Sequence, residues 1–283
     1  MLMQTISSKL DLREALAPRR TQRIVLVPTM GALHCGHKAL LDEARRLAGK
    51  DGTVVISIFL NPIQFNNPAD LTTYPRSLDE DLALCESSGV DFAFLPTPEI
   101  MYAADRSIIV DELTLSHTLC GASRPGHFTG VCTVVNKLFN IVQPTDALFG
   151  KKDFQQLAII RRMVRDLDIP VTIHGVEIVR ESSGLAFSSR NARLTQANRQ
   201  AAPILREVLL TAQEKYRAGT PHDIIRKHAT DTISNCQGTA IDYIDIVHAE
   251  TMQPLAVDDF QSPALMALAV SFGDVRLIDN IEL

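Results

Sequence analysis

The chain has 283 residues, of which 46% are hydrophobic and 22% charged, which describes a folded protein of one or two domains and excludes a disordered one. A formal net charge of −5 and a pI of about 5.9 exclude a broad basic surface, so no nucleic-acid partner is expected. No run reaches membrane-spanning length, the first residues lack a signal-peptide core, and five scattered cysteines form no Cys-x-x-Cys pair; a cytoplasmic protein with reduced thiols and no membrane partner is expected.

Residues 23–27 form an apolar run that reads as a buried strand. Val27-Pro28-Thr29-Met30-Gly31-Ala32-Leu33-His34-Cys35-Gly36-His37 follows it, and a helix is read over 36–48. Two histidines with a glycine between them therefore stand where a strand gives way to a helix start. Unpaired N–H groups and the positive end of the helix dipole make that place receptive to phosphate. Glycine lets backbone approach a ligand closely, and each imidazole supplies an N–H donor. A lone histidine near a helix start is more often a cap; the surrounding strand, glycines and helix give this pair its weight. Cys35 reads as a small filler.

The next strand is read over 53–60 and leads into Asn61-Pro-Ile-Gln64-Phe-Asn-Asn-Pro. Amides there suit a hydroxy-acid or amide ligand, whereas taken alone the segment reads as an Asn-Pro turn. A helix over 77–87 contains Asp79-Glu80-Asp81, a solvated face or an outer partner for a cation. A strand over 91–95 follows. Gly121-Ala-Ser-Arg124-Pro-Gly126-His127-Phe-Thr-Gly130 then leads into a helix over 129–142; binding loop and plain connecting loop both fit it.

Strand 147–149 passes through Gly150-Lys151-Lys152-Asp153 into a helix over 154–168 that carries Gln156. Lysine there can hold phosphate as a point charge, and Asp153 can cap the helix. A last strand of the series is read over 171–175. Strands alternating with helices imply a Rossmann-like, doubly wound, mostly parallel sheet, with ligands beyond the carboxyl ends of the strands. After about residue 179 the pattern changes. Gly184-Leu-Ala-Phe187-Ser188-Ser189-Arg190-Asn191 precedes helices over 196–218 and 221–236, then strands over 241–248, 264–272 and 275–278. Residues 1–178 are thus read as a nucleotide- and substrate-binding domain, and 179–283 as a smaller C-terminal α+β domain whose junction suits a lid.

In this order and spacing, the histidine motif, Asn-Pro-Ile-Gln-Phe, Gly-Ala-Ser-Arg-Pro-Gly-His-Phe, Phe-Gly-Lys-Lys-Asp-Phe-Gln-Gln-Leu, Gly-Leu-Ala-Phe-Ser-Ser-Arg-Asn and the terminal Asp-Val-Arg-Leu-Ile-Asp-Asn resemble the pantoate–β-alanine ligases. Those enzymes belong to the His-x-Gly-His nucleotidyltransferase superfamily, and the resemblance covers nearly the whole chain. It implies ATP-dependent joining of (R)-pantoate to β-alanine through a pantoyl adenylate, with release of AMP and pyrophosphate. It also implies that Met30, Gly31, Ala32, Leu33, His34, Cys35, Gly36 and His37 line ATP, with His34 and His37 stabilising charge or donating a proton. Lys152 would grip phosphate, Gly150 and Asp153 the nucleoside, Val179 the adenine, and Ser188, Ser189 and Arg190 the phosphates, with Lys151 and Phe187 also among the residues that line ATP. Gln64, Gln156 and Asn61 would orient pantoate, with Arg124 and His127 as looser candidates. Mg²⁺ is expected to accompany ATP through phosphates and water, with no protein ligand assigned. A homodimer is implied as well. Lys151 departs from the family, which usually carries an acidic residue there, and Phe187 stands where Met or Leu is common. Another nucleotidyltransferase sharing His34 and His37, or a silent nucleotide-binding regulator, are the competing readings; neither needs the full acceptor-site set.

Overall fold

A computed structural model describes residues 3–66 and 68–283; Asn67 of the Asn-Asn-Pro segment, with Met1 and Leu2, lies outside the described residues. The chain groups into two units. The first comprises Met1–Glu112, Pro125–Lys151 and Ile159–Glu177, the second Leu113–Arg124, Lys152–Ala158 and Ile178–Leu283.

The first unit is built on six parallel strands: β1 (Gln4–Ile6), β2 (Ile24–Thr29), β3 (Thr53–Ile58), β4 (Phe92–Phe94), β5 (Asp146–Gly150) and β6 (Thr172–Val176), in the order β1-β4-β3-β2-β5-β6. From β2 the sheet grows first toward β4 and later, through β5, in the other direction. The reversal sets a switch point between β2 and β5, where Val25 lies opposite Asp146 and Leu26 opposite Ala147. Four consecutive residues of β2, Ile24 to Val27, are fully buried, as strands covered on both faces must be. The helix Cys35–Ala48 packs Leu40, Leu41, Ala44 and Ala48 onto Val25, Val27, Val54, Ile56 and Leu148. Those positions are spaced three and four apart, so one stripe of the helix is apolar.

The second unit carries an antiparallel sheet, β7 (Thr239–His248), β8 (Ala264–Phe272) and β9 (Val275–Glu282) in that order. Helices Ile204–Arg217 and His222–Ser234 supply Leu205, Val208, Leu209, Ile225, Ala229 and Ile233 to a core shared with Met266, Leu268 and Val270 of β8.

Three features differ from the sequence reading. The single helix over 196–218 is two, Gln196–Ala201 and Ile204–Arg217, because Pro203 has no N–H to continue the ladder. The strand β1 and the helix Lys9–Leu16 precede the first strand read from sequence. A single cut between residues 178 and 179 does not describe the units, since two earlier segments group with the second. Thr118 Oγ1 donates to the Met252 carbonyl at 3.1 Å, Ser123 Oγ to Asp242 at 2.8 Å, and Asn280 Nδ2 to the Lys152 carbonyl at 2.9 Å.

Candidate active site

In the first unit the turn after β2 is shaped by two left-handed residues, Gly31 at φ 84° and Ala32 at φ 52°. Glycine is needed at 31 on a second count: a Cβ there would lie 3.1 Å from both Asp81 Oδ2 and Ile58 Cγ2. The strain at Ala32 is held by Asp81, whose carboxylate accepts the N–H of Ala32 at 2.9 Å and of Leu33 at 2.7 Å. Ser77 Oγ donates to the same carboxylate at 3.0 Å. Asp81 is 2% exposed, so the reading of it as part of a solvated helix face does not hold. It fastens the turn that carries the histidines.

His34 is the N-cap of helix Cys35–Ala48, its Nδ1 accepting the Gly36 N–H at 3.1 Å, while His37 Nδ1 accepts the His34 N–H at 3.2 Å. This is a reciprocal capping box made by two imidazoles. An Nδ1 that accepts from backbone carries no proton, so each neutral ring bears its proton on Nε2 and is a donor there. The ring centroids are 4.1 Å apart and tilted by 48°. Cys35 is exposed and Gly36 half-buried between them.

Past β3, the 3₁₀ turn Pro62–Gln64 buries Asn61 and Gln64. Asn61 Nδ2 donates to Gln64 Oε1 at 2.9 Å and to the Gly130 carbonyl at 3.1 Å, and the Tyr102 hydroxyl donates to Asn61 Oδ1 at 2.7 Å. Gln64 Nε2 approaches Met30 Sδ at 3.2 Å, which brings the amide turn to the start of the histidine loop. His127 is buried and sits 2.9 Å by Nδ1 from the Gln64 carbonyl, so Nδ1 carries the proton and supports the same turn. At the end of β5, Gly150 is followed by Lys151, whose ammonium pairs with Glu177 at 2.5 Å. The positive charge of Lys151 is therefore met by a carboxylate.

In the second unit, the Lys152 carbonyl is held by Asn280. Asn280 is steadied by Asp279, which accepts its N–H at 2.8 Å and binds Arg180 at 2.6 and 2.9 Å. The terminal Asp-Asn pair thus fixes the lysine backbone and the arginine beside Val179. Asp153 is exposed and Gln156 half-buried at the start of helix Phe154–Asp166. Gln155, between them, points inward and donates to the Leu115 and Thr118 carbonyls at 2.7 Å each. The Val179 carbonyl accepts the Phe187 N–H at 3.0 Å, closing a short hairpin. Ser188 then caps the 3₁₀ turn Ser189–Arg193, its Oγ accepting the Arg190 N–H at 3.2 Å. Ser189, Arg190 and Arg124 are half-buried.

The structure thus gathers Met30 to His37, Asn61, Gln64 and His127 in the first unit, and Val179 with Phe187 to Arg190 in the second. Sequence reasoning missed Tyr102 and the turn-fastening role of Asp81, and it takes Asp279 and Asn280 only as part of a motif, because each acts on a residue remote in the chain. Among the described residues, no three His, Cys, Asp or Glu side chains cluster where a metal ion could be held, and no helix is long and apolar enough to cross a membrane.

Residues 4–282 match the family described as Pantoate-beta-alanine ligase. The chain is 62% identical to the pantothenate synthetase of Akkermansia muciniphila over 99% of its length and all of that protein. It is 47% identical to that of Corynebacterium efficiens, over 99% of both chains. Among solved structures, a pantothenate synthetase from Thermus thermophilus superimposes with a TM-score of 0.92 at 44% identity, covering 99% of each chain. A pantoate-beta-alanine ligase from Francisella tularensis, complexed with beta-gamma ATP and beta-alanine, superimposes with a TM-score of 0.81 at 33% identity, covering 99% of this chain and 97% of that one.

Proposed function

The chain belongs to the pantoate–β-alanine ligase family, and from that premise we propose that it condenses (R)-pantoate with β-alanine in two steps through a pantoyl adenylate. In the first, a pantoate carboxylate oxygen attacks the α-phosphorus of ATP, the bond to the bridging oxygen breaks, and pyrophosphate leaves. In the second, the free amine of β-alanine attacks the acyl carbon. The bond from that carbon to the phosphate oxygen breaks, AMP leaves with the electron pair, and the nitrogen gives up its proton as the amide of pantothenate forms.

Negative charge builds on phosphoryl oxygens in the first step, so fixed donors and cations matter more than a strong base. The observation that carries this reading is the reciprocal histidine cap at the sheet's switch point, which makes His34 and His37 N–H donors at Nε2. The turn from Met30 to His37 lines the triphosphate, and Lys152 and Arg190 add positive charge, with Ser188 and Ser189 donating hydroxyls. Gly150, Lys151, Asp153, Val179 and Phe187 contact the nucleoside end. Gln64 and Gln156 orient pantoate, while Asn61 and His127 fix Gln64, and Arg124 attracts the acid. Mg²⁺ would travel on the nucleotide's own phosphates and water. Both oxygens of Asp81 are taken by backbone and Ser77, so Asp81 is assigned to the turn and no step is routed through the ion.

The test is release of AMP and pyrophosphate by purified protein given ATP, Mg²⁺ and pantoate, with and without β-alanine. Pantoate-dependent pyrophosphate release, and pantothenate only when β-alanine is added, is the expected result. Nucleotide binding without pantoate-dependent release would refute it. A cytoplasmic homodimer belongs to the same proposal. Five free thiols fit a reducing compartment, and Ile108 and Ile109, 81% and 59% exposed, offer apolar surface to a second copy. Light scattering is expected to give twice the chain mass; a monomer at micromolar concentration would remove that part.

A further inference from the structure

Tyr102, Asn61 and Gln64 form a buried line of hydrogen bonds whose direction is fixed at one end by backbone. The Gly130 carbonyl can only accept, so the Asn61 atom facing it at 3.1 Å is Nδ2. Oδ1 then faces Tyr102, whose hydroxyl must donate, at 2.7 Å. The second proton on Nδ2 goes to Gln64, so the Gln64 atom facing Asn61 at 2.9 Å is Oε1. Nε2 is left as the end of Gln64 turned away from Asn61, beside Met30 Sδ at 3.2 Å. All three side chains are nearly inaccessible, at 1% exposure for Asn61, 7% for Gln64 and 8% for Tyr102, so water does not compete for their partners.

We propose that Tyr102 is a positioning residue for the acid substrate: by donating to Asn61 it holds the Asn61–Gln64 pair in one polarity, so that Gln64 offers N–H groups to substrate oxygens. The inference rests on the reading that Gln64 meets pantoate. A carboxylate or an accepting hydroxyl oxygen matches a donor end; a Gln64 turned the other way would present a carbonyl oxygen to the same group and repel it. Tyr102 suits the task on three counts. Its ring is bracketed by cations, with Arg106 Cζ 5.2 Å and Lys137 Nζ 5.7 Å from the centroid. Phe59 flanks it with a centroid separation of 6.2 Å. Burial raises its hydroxyl far above the ordinary tyrosine value, which favours the protonated, donating form. Lacking the hydroxyl, Asn61 Oδ1 becomes a buried acceptor without a partner, and the amide loosens.

The experiment measures steady-state constants for pantoate and ATP in wild type, Tyr102→Phe, Asn61→Asp and the double variant. In Tyr102→Phe the pantoate KM is expected to rise roughly five- to tenfold, the loss of one buried hydrogen bond, while the ATP KM stays within about twofold. Asn61→Asp, which has no donor for Gly130 or Gln64, is expected to raise it further. Because Tyr102 acts only through Asn61, adding Tyr102→Phe to Asn61→Asp should change little more. An unchanged pantoate KM in Tyr102→Phe overturns the inference, as does a parallel rise in the ATP KM, or additive effects in the double variant. If Tyr102→Phe does not fold, Asn61→Asp decides alone: an unchanged pantoate KM overturns the inference and a selective rise supports it. Failure of the underlying reading has a different signature, since wild type itself would then release no pyrophosphate in response to pantoate.

Discussion

His34 caps the helix start and His37 caps the His34 N–H, so each has a folding role beside the chemical one proposed for it. Replacing His37 by alanine removes the acceptor for the His34 N–H, a loss of about 1 kcal/mol of helix stability, and removes one donor from the turn proposed to line the phosphates. Adenylate formation is expected to fall at least ~100-fold with the protein still folded; pyrophosphate release alongside circular dichroism checks both parts. Asp81 is the residue behind them. Asp81→Asn sets an amide NH₂ against one of two backbone N–H donors and leaves that donor unsatisfied, so the melting temperature should fall by the equivalent of about 1–3 kcal/mol. Thermal denaturation measures it, and a melting point equal to wild type would show the turn to be self-supporting. His222 is the reverse case. It is 2% exposed, stacks on Tyr216 at 5.4 Å, and neither ring nitrogen has a hydrogen-bond partner among the described residues. Desolvation lowers its pKa against the partial opposition of Asp259, Asp258 and Asp223. A histidine depressed in the folded state takes up its proton first in the unfolded state. Stability is therefore intact above the ordinary value of about 6.5 and declines as pH falls below it. His222→Phe should flatten that acid-side decline, as read from melting temperature against pH.

At the scale of elements, glycine at 130 lets helix His127–Val142 lie against the 3₁₀ turn Pro62–Gln64. A Cβ there would stand 2.6 Å from Gln64 Cα and from the Ile63 carbonyl oxygen, both backbone, which has no room to yield. Gly130→Ala is expected to cost several kcal/mol or shift the turn that carries Gln64, on the order of other overpacked sites; melting temperature and pantoate KM together report which. Most elements were legible because their signal is local. Buried parallel strands read as apolar runs, and the helix after the histidines reads from its period. The strand β1 was not legible, since Gln4 and Thr5 are exposed and it is held by pairing with Phe92 to Phe94, far along the chain. Pro203 stood in plain view, but the apolar period resumes beyond it and hides the break. The histidine motif, Asn61 and Gln64 could be found from residue type at a strand end. Asp81 could not, because Asp79-Glu80-Asp81 has the composition of a solvated face. What buries its third member is a turn 48 and 49 residues earlier in the chain. Tyr102 meets Asn61 across 41 residues, and nothing local marks it.

For the whole molecule, the order of the chain and the grouping of its parts do not coincide. The first unit draws on segments that end at Glu177, while the second takes Leu113–Arg124 and Lys152–Ala158 from among them. Strand β9 reaches the proposed nucleotide residues in this way: Asn280 binds the Lys152 carbonyl across 128 residues. Asn280→Ala is expected to raise the ATP KM several-fold, on the order of one lost hydrogen bond to a positioned group, and to leave the pantoate KM near wild type. Equal shifts in both constants would assign Asn280 to general stability instead.

That last bond also orders events during synthesis. All six strands of the parallel sheet have been made once residue 176 is joined, so the histidine turn and the Gln64 turn can settle while the antiparallel sheet is still to be translated. Lys152 is made early, yet the side chain that holds its backbone follows 128 residues later. A ribosome that stops just short of Asn280 would release a chain with its parallel sheet and both capped histidines in place, and with the backbone of Lys152 left unfastened.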